Sequence, residues 1–342
     1  MSTLKAINLQ HPSATNPAIV LATDGSAAGN FSSSNGGPLA GFRNRIINGN
    51  FDFWQRGTSF TGSEYGADRW ANYRVGTTHT ATRQAFTLGQ TDVPGEPTYF
   101  LRTVVSSVAG ASNFSSLAQR IEDVRTFAGQ QVTISFWAKV DATKNIAVEL
   151  GQVFGTGGSP SAAVSAIGTT KVSIGTTFQK VTITATVPSI SGKTIGTNND
   201  SYLFAAIYFD AGSTFNSATD SLGQQSGTFD IAQVQLEPGP VATPFEQRPI
   251  GTELALCQRY FANSTAYGWG YAGAGGANRV VSAYLPATMR VVPTVVFTSA
   301  TGGNVTGQTA AAIGVNNFGV DTTVGTAGAY SINLTFTASA EL

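Results

Sequence analysis

At 342 residues, with 42% apolar side chains, 11% charged ones and no formal net charge, the chain is long enough for two domains with their own cores and lacks the low-hydropathy, high-charge signature of disorder. Soluble proteins typically carry about 25% charged residues, so a chain this poor in charge and rich in Gly, Ser, Thr, Asn and Ala points to strands, turns and a life inside an assembly. The neutral balance excludes the basic footprint of a nucleic-acid binder, the lone Cys257 excludes an internal disulfide framework, and no run approaches the roughly 18 apolar residues of a membrane-spanning helix.

In chain order, residues 1–42 read as an extended arm and linker. The opening MSTLKAINLQHPSATNPAIV lacks the basic start and continuous apolar core of a secretory signal, so release by cell lysis is the compatible route out of a cell. After Asp24, small residues, Gly and Pro dominate, which is linker chemistry. Ile7, Leu9, Ile19 and Leu21 stand out from this background and give the arm something to bury on a partner.

Residues 43–250 read as a succession of strands. VTISFWAKV at 132–140 alternates strictly, with Val132, Ile134, Phe136, Ala138 and Val140 on one face. NIAVELGQVF at 145–154 follows after a short turn, so a hairpin of the two is expected. FQKVTITATV at 178–187 sets Val181, Ile183, Ala185 and Val187 against threonines, and SYLFAAIYFD at 201–210 is apolar on both faces, as a doubly covered central strand would be. At 229–236 the phase breaks: Phe229 and Ile231 face one way, Ala232, Val234 and Leu236 the other, which a β-bulge or burial of both faces reconciles. Many short strands with Gly, Asn and Ser turns specify an all-β fold, an antiparallel jelly-roll β-sandwich.

One helix is expected, a connector over 251–262 with its helical period at 252–261: Thr252 as N-cap, Glu253 in the first turn, Arg259 near the end, and Leu254, Cys257 and Phe261 on one side. Residues 263–342 then form a small C-terminal β domain, a tip or an oligomerisation module, with only Arg279, Arg290, Asp321 and Glu341 charged.

Acid-base chemistry has little to draw on. His11 and His79 are the only histidines, and no nucleophile elbow, phosphate loop, dinucleotide fingerprint or zinc-protease motif is present. Glu64, Asp68, Glu122, Asp123, Asp230 and Glu237 show no spacing that selects a glycosidase pair, and Glu122 and Asp123 sit beside Arg120 and Arg125 as surface ion pairs would. No catalytic residue is therefore assigned. Trp54, Trp70, Tyr73 and Trp137 read as core, with a sugar-stacking platform as the other reading. Tyr267, Trp269 and Tyr271 alternate with glycines, which places three rings on an exposed edge or loop for contact with a glycan or a neighbouring subunit. Asn278 and Arg279 follow as candidate polar partners in a receptor site.

Five segments together resemble a jelly-roll module of bacteriophage tail-fibre and other virion appendage proteins: NRIINGNFDFWQRGTSF at 44–60, DRW at 68–70, SLAQRIEDV at 116–124, VTISFWAKV, and FDIAQVQLEPGPVATPFEQRPIGTELALCQRYF at 229–261. KAINLQHPSATNPAIVLATDG at 5–25 resembles the opening peptide of phage tail fibres. The resemblance covers roughly residues 43–261 and brings no catalytic residues. It implies a structural virion protein, a tail fibre attaching the particle to its host, with a head fibre or capsid decoration protein as the close alternative and a free carbohydrate-binding module or glycanase as the distant one. It also implies a homotrimer, an arm bound to other virion proteins, and a host-surface glycan or protein as receptor. The sandwich resembles carbohydrate-binding-module jelly rolls in outline. That likeness implies a structural calcium as the one conceivable cofactor, with Asp52 and Asp230 as the residues positioned to hold it.

Overall fold

The computed structural model describes residues 42–342 together with three short strands of the preceding arm, Asn8–Leu9 (β1), Ile19–Leu21 (β2) and Ala27–Gly29 (β3), which pair antiparallel in that order. Leu9, Ile19 and Leu21 fall on these strands, and Ile7 lies outside the described residues. His11 lies outside them as well.

The body contains Ser59–Phe60 (β4), Glu64–Tyr65 (β5), Ala71–Val75 (β6), Thr78–Ala85 (β7), Tyr99–Ser106 (β8), Phe114–Glu122 (β9), Gln131–Val140 (β10), Lys144–Val153 (β11), Val164–Ile174 (β12), Gln179–Thr186 (β13), Tyr202–Ala211 (β14) and Gly227–Pro238 (β15). Two six-stranded antiparallel sheets result, a first in the order β13-β10-β15-β8-β7-β4 and a second in the order β12-β11-β14-β9-β6-β5. This is the antiparallel jelly-roll sandwich that the alternation specified. Val132, Ile134, Phe136, Ala138 and Val140 face the core, opposed by Leu203, Ala205, Ile207 and Phe209 of β14. Trp54 and Trp70 are core residues, whereas Trp137 lies half-buried on the outer face of the first sheet against Phe100 and Phe178.

The expected hairpin is not formed. β10 pairs with β13 and β15, and β11 pairs with β12 and β14, so the three residues between them carry the chain from one sheet to the other. Both strands bear a continuous apolar inward face, and stacking across the core buries those faces against each other. The phase break in β15 is resolved by a bulge: Gln233 has a positive φ of 47°, and the register with β10 shifts between Ser135 and Trp137. Val234 and Leu236 thereby rejoin Phe229 and Ile231 in the core, while Ala232 faces outward beneath Phe100 and Phe178.

A single four-residue helical turn, Asn216–Thr219 (α1), precedes β15, and the connector helix runs over Ile250–Gln258 (α2). It starts earlier than the sequence suggested. Pro249 is the N-cap, its carbonyl accepting from the Thr252 N–H, so Thr252 lies inside the first turn. Cys257 and Glu253 are the buried residues of the helix, and Phe261 already belongs to the next strand.

The C-terminal module stacks two three-stranded sheets. Its strands are Phe261–Ala272 (β16), Asn278–Tyr284 (β17), Thr294–Thr301 (β18), Val305–Ala311 (β19), Asn317–Val324 (β20) and Gly328–Ser339 (β21), ordered β16-β21-β18 and β17-β20-β19. Ile332, Leu334, Phe336 and Ala338 of β21 meet Phe318 and Val320 of β20 in a core separate from that of the sandwich.

Candidate functional site

The outer face of the second sheet carries a shallow trough of about 180 Å³. Because side chains alternate along β14, the residues that skip the core (Tyr202, Phe204, Ala206 and Tyr208) point out together. The register sets Ala206 beside Ala118 and Glu149, Phe204 beside Arg120 and Gly151, and Tyr208 beside Ser116 and Ala147. Small residues thus make the floor, and Tyr73, Phe114, Tyr202, Phe204 and Tyr208 make the walls. Gly151 is required by this arrangement, since a Cβ there would stand 2.3 Å from the Phe204 ring. The Arg120 guanidinium caps one end, 4.8 Å from the Tyr202 ring centroid and 5.7 Å from that of Tyr73.

Burial, followed by the neighbouring Glu149 carboxylate, raises the Tyr208 phenol, which donates to Glu149 Oε2 at 3.2 Å; burial also raises the Tyr73 phenol. Both remain neutral hydrogen-bonding groups at physiological pH. Half-buried rings, phenolic hydroxyls and one guanidinium around a floor of alanines suit a ligand with apolar C–H faces and hydroxyl edges. The sequence reading of 201–210 is a strand covered on both sides. One side is instead this open trough, and the signal was legible: the core-facing set is Leu, Ala, Ile and Phe, whereas two of the four residues on the opposite face are tyrosines.

The three rings expected at an edge are there. Tyr267, Trp269 and Tyr271 lie on edge strand β16 and are 75%, 85% and 74% exposed. The glycines between them serve the inner face: a Cβ on Gly268 would fall 2.5 Å from Val281, and one on Gly270 2.6 Å from the Tyr330 hydroxyl. Asn278 does not join the rings. It sits on β17 in the opposing sheet, on the exposed alternation of Val280 and Tyr284, and accepts from Thr323 Oγ1 at 3.2 Å. Arg279 lies half-buried on the inward alternation and donates to the Asn278 carbonyl.

The proposed calcium pair is not assembled. Both Asp230 oxygens accept from Arg102, at 2.7 and 2.9 Å, and Lys139 lies 3.7 Å away, so cations of the protein already occupy that carboxylate. Asp52 accepts from Asn50, and burial raises its carboxyl. Among the described residues, no three His, Cys, Asp or Glu side chains gather into a metal-ligating group. His79 is buried, with Nδ1 2.8 Å from Ser115 Oγ, and burial lowers its imidazole. The expected surface pairing of Glu122 takes a different partner: it meets Arg259 at 2.9 Å and the Tyr260 hydroxyl at 2.7 Å, while Asp123 pairs with Arg125. Burial alone would raise the Glu122 carboxyl, but those two donors hold it below its ordinary value.

The segments that carry the sequence resemblance converge on a buried polar clasp between the sandwich, α2 and the C-terminal module. The Asn48 carboxamide donates to the carbonyls of Phe53 and Asp68 and accepts from the Phe53 N–H, while Trp70 Nε1 donates to the Asn48 carbonyl. Glu253 accepts from the Asn48 N–H and from Arg248. Arg69, only 1% exposed, pairs with Glu341 of the C-terminal module and lies 3.5 Å from the Tyr260 ring centroid. Burial would lower the Arg69 guanidinium, yet Glu341 together with Tyr260, Tyr65 and Cys257 offsets this and holds it above its ordinary value. The motifs therefore encode architecture, and the trough lies largely outside them.

Neither a protein-family model nor a curated protein matches the chain. Among solved structures it is similar to the enzymatically active domain of bacteriophage CBA120 tailspike protein 4, at 15% identity and TM-score 0.34 over 57% of this chain and 21% of that one. It is similar also to the family 11 carbohydrate-binding module from Clostridium thermocellum in complex with a β-1,3-1,4-mixed-linked tetrasaccharide, at 9% identity and TM-score 0.33 over 54% of this chain and 98% of that one. A protein from Bacteroides thetaiotaomicron, named as a sugar-binding protein by assignment, aligns at 16% identity and TM-score 0.32 over 57% of this chain and all of its own.

Proposed function

We propose that the protein is a non-enzymatic structural component of a bacteriophage particle, a tail fibre that attaches the virion to its host by holding a surface glycan in the trough of the second sheet. The observation that carries the binding reading is the trough itself, a floor of Ser116, Ala118 and Ala206 walled by Tyr73, Tyr202, Phe204 and Tyr208. The virion assignment is supported by the segments at 44–60, 68–70, 116–124 and 229–261.

Covering about 80 Å² of one tyrosine ring at roughly 25 cal/mol/Å² contributes about 2 kcal/mol, near thirtyfold in affinity. Tyr202→Ala and Tyr208→Ala are therefore expected to cut binding on an array of bacterial surface polysaccharides by at least about tenfold each. Undiminished binding by both variants overturns the trough as the site. Gold-labelled antibody on intact particles separates a tail position from the head-fibre and capsid-decoration alternatives.

A second reading concerns Tyr267, Trp269 and Tyr271. Three rings this exposed on an edge strand, in a module with four charges, suit burial between copies in a homotrimer, where β16 meets its neighbours. Three troughs on one particle then raise avidity without new contacts.

A further inference from the structure

We propose a second sugar site, independent of the trough and on the opposite face of the sandwich, whose ligand is a 2-acetamido sugar, the N-acetylated hexosamine unit of a glycan. The outer face of the first sheet holds a pocket of about 440 Å³. Trp137 of β10, in register with Lys180 of β13 and Ala232 of β15, lines it, and Phe245, Pro94 and Pro244 extend the apolar surface. The segment that carries Pro244 and Phe245 is fixed in place. Glu237 accepts from the Thr243 N–H at 2.8 Å and from its hydroxyl at 2.7 Å, while Gln235 donates to the Pro244 carbonyl and accepts from the Glu246 N–H. Walls set in this way cost little ordering when a ligand arrives.

The pocket's polar groups are uncommitted. Gln233 is only 7% exposed, and the bulge that gives it a φ of 47° sets its side chain in the pocket lining. Its Nε2 donates to the Pro94 carbonyl at 2.8 Å, which fixes the amide, and among the described residues no donor reaches its Oε1. Trp137 Nε1 and the carboxamide of the exposed Gln247 also lack a protein partner among the described residues, and Lys180 donates there to the Thr243 carbonyl alone. A fixed acceptor and free donors within an apolar rim match an acetamido group, whose N–H, carbonyl and methyl answer all three. A proline-rich peptide is the other occupant that aromatic and proline walls suit, but its prolines offer carbonyls without N–H donors and leave Gln233 Oε1 unsatisfied. A free amine fits no better, since among the described residues Lys180 lines the pocket and no carboxylate does.

The test is calorimetric titration of the full chain with chitotetraose, cellotetraose and fully deacetylated chitotetraose, and with decaproline. The three sugars share one β-1,4 backbone and differ at C2 in carrying an acetamido, a hydroxyl or an amino group. Chitotetraose is expected to bind at least about tenfold tighter than each of the other probes. Trp137→Ala should weaken it by about tenfold or more. Gln247→Ala should weaken it by about threefold, and because that side chain is exposed it reports on the site even if the Trp137 variant folds poorly. Tyr202→Ala disables the trough, so chitotetraose binding that survives it belongs to the pocket. Equal affinity for chitotetraose and cellotetraose, tighter binding of decaproline, or failure of chitotetraose to bind overturns the inference. Binding that falls with Tyr202→Ala and with neither pocket variant also overturns it, and leaves the trough reading standing. Polysaccharide binding indifferent to Tyr202→Ala and Tyr208→Ala, with chitotetraose still lost in Trp137→Ala, overturns the trough and leaves the pocket.

Discussion

Replacing Glu341 by alanine strips the counter-charge from Arg69, a guanidinium with 1% of its surface exposed that also supports the Tyr260 ring. Arg56 loses a 2.9 Å partner in the same step and keeps Asp68, at 3.8 Å, and the Phe261 ring, at 3.6 Å. Leaving one member of a buried pair uncompensated costs about 3–5 kcal/mol, and the Tyr260 face and the Arg120 carbonyl, which Arg69 retains, favour the lower end. A loss of about 3 kcal/mol lowers the melting temperature by roughly 6–12 °C for a domain of this size. Scanning calorimetry measures that shift directly, and limited proteolysis reports whether the C-terminal module has come loose. Asp123→Ala is the control: its pair with Arg125 is 43% and 63% exposed and is expected to contribute no more than about 1 kcal/mol. If Glu341→Ala melts within a degree or two of the parent, or no lower than Asp123→Ala, the clasp does not hold the module and the reasoning fails.

Trp269→Ala should shift the protein from trimer toward monomer in sedimentation at micromolar concentration while leaving glycan binding per chain unchanged; a stable trimer carrying weakened adsorption would return the ring row to the receptor site. Deleting the first 25 residues should leave the melting transition intact and abolish incorporation into particles, and normal incorporation would refute anchoring by the arm. The third expectation concerns pH. Burial depresses the His79 imidazole below its ordinary 6.5, so the unfolded chain takes up the proton first; the associated stability is complete above about pH 6.5 and is lost as pH falls through the lower folded value. His79→Gln should flatten that part of the stability profile, and an unchanged slope would remove His79 as its source.

Strands whose alternation is strict, such as β10 and β13, were legible because period two and burial of one face are the same fact. What joined them was less so. A three-residue connection reads identically whether the chain turns within a sheet or crosses to the other, and only the matching of two apolar faces across the core decides for the crossing between β10 and β11. Asp230 figures as a calcium ligand only through an outline likeness, and its true partners, Arg102 and Lys139, belong to strands whose register cannot be read from either segment alone. The rings of β16 were found through their glycines, though those glycines make room for Val281 and Tyr330 on the hidden face. Asn278 was grouped with the rings by proximity in sequence, and sheet membership separates them. The trough escaped notice because its walls come from β6, β9 and β14, none of which shows the whole of it.

Phe261 pairs with Ser339, so the C-terminal module leaves and regains the sandwich side by side. Its fastenings sit at that base: Tyr260 with the Ala340 N–H, Arg290 with the carbonyls of Ala340 and Asn199, and Glu341 with Arg56 and Arg69. The module is built like a plug whose pins are a handful of residues at one end. Loops and faces at the other end take no part in these contacts, so a change there leaves the socket as it is.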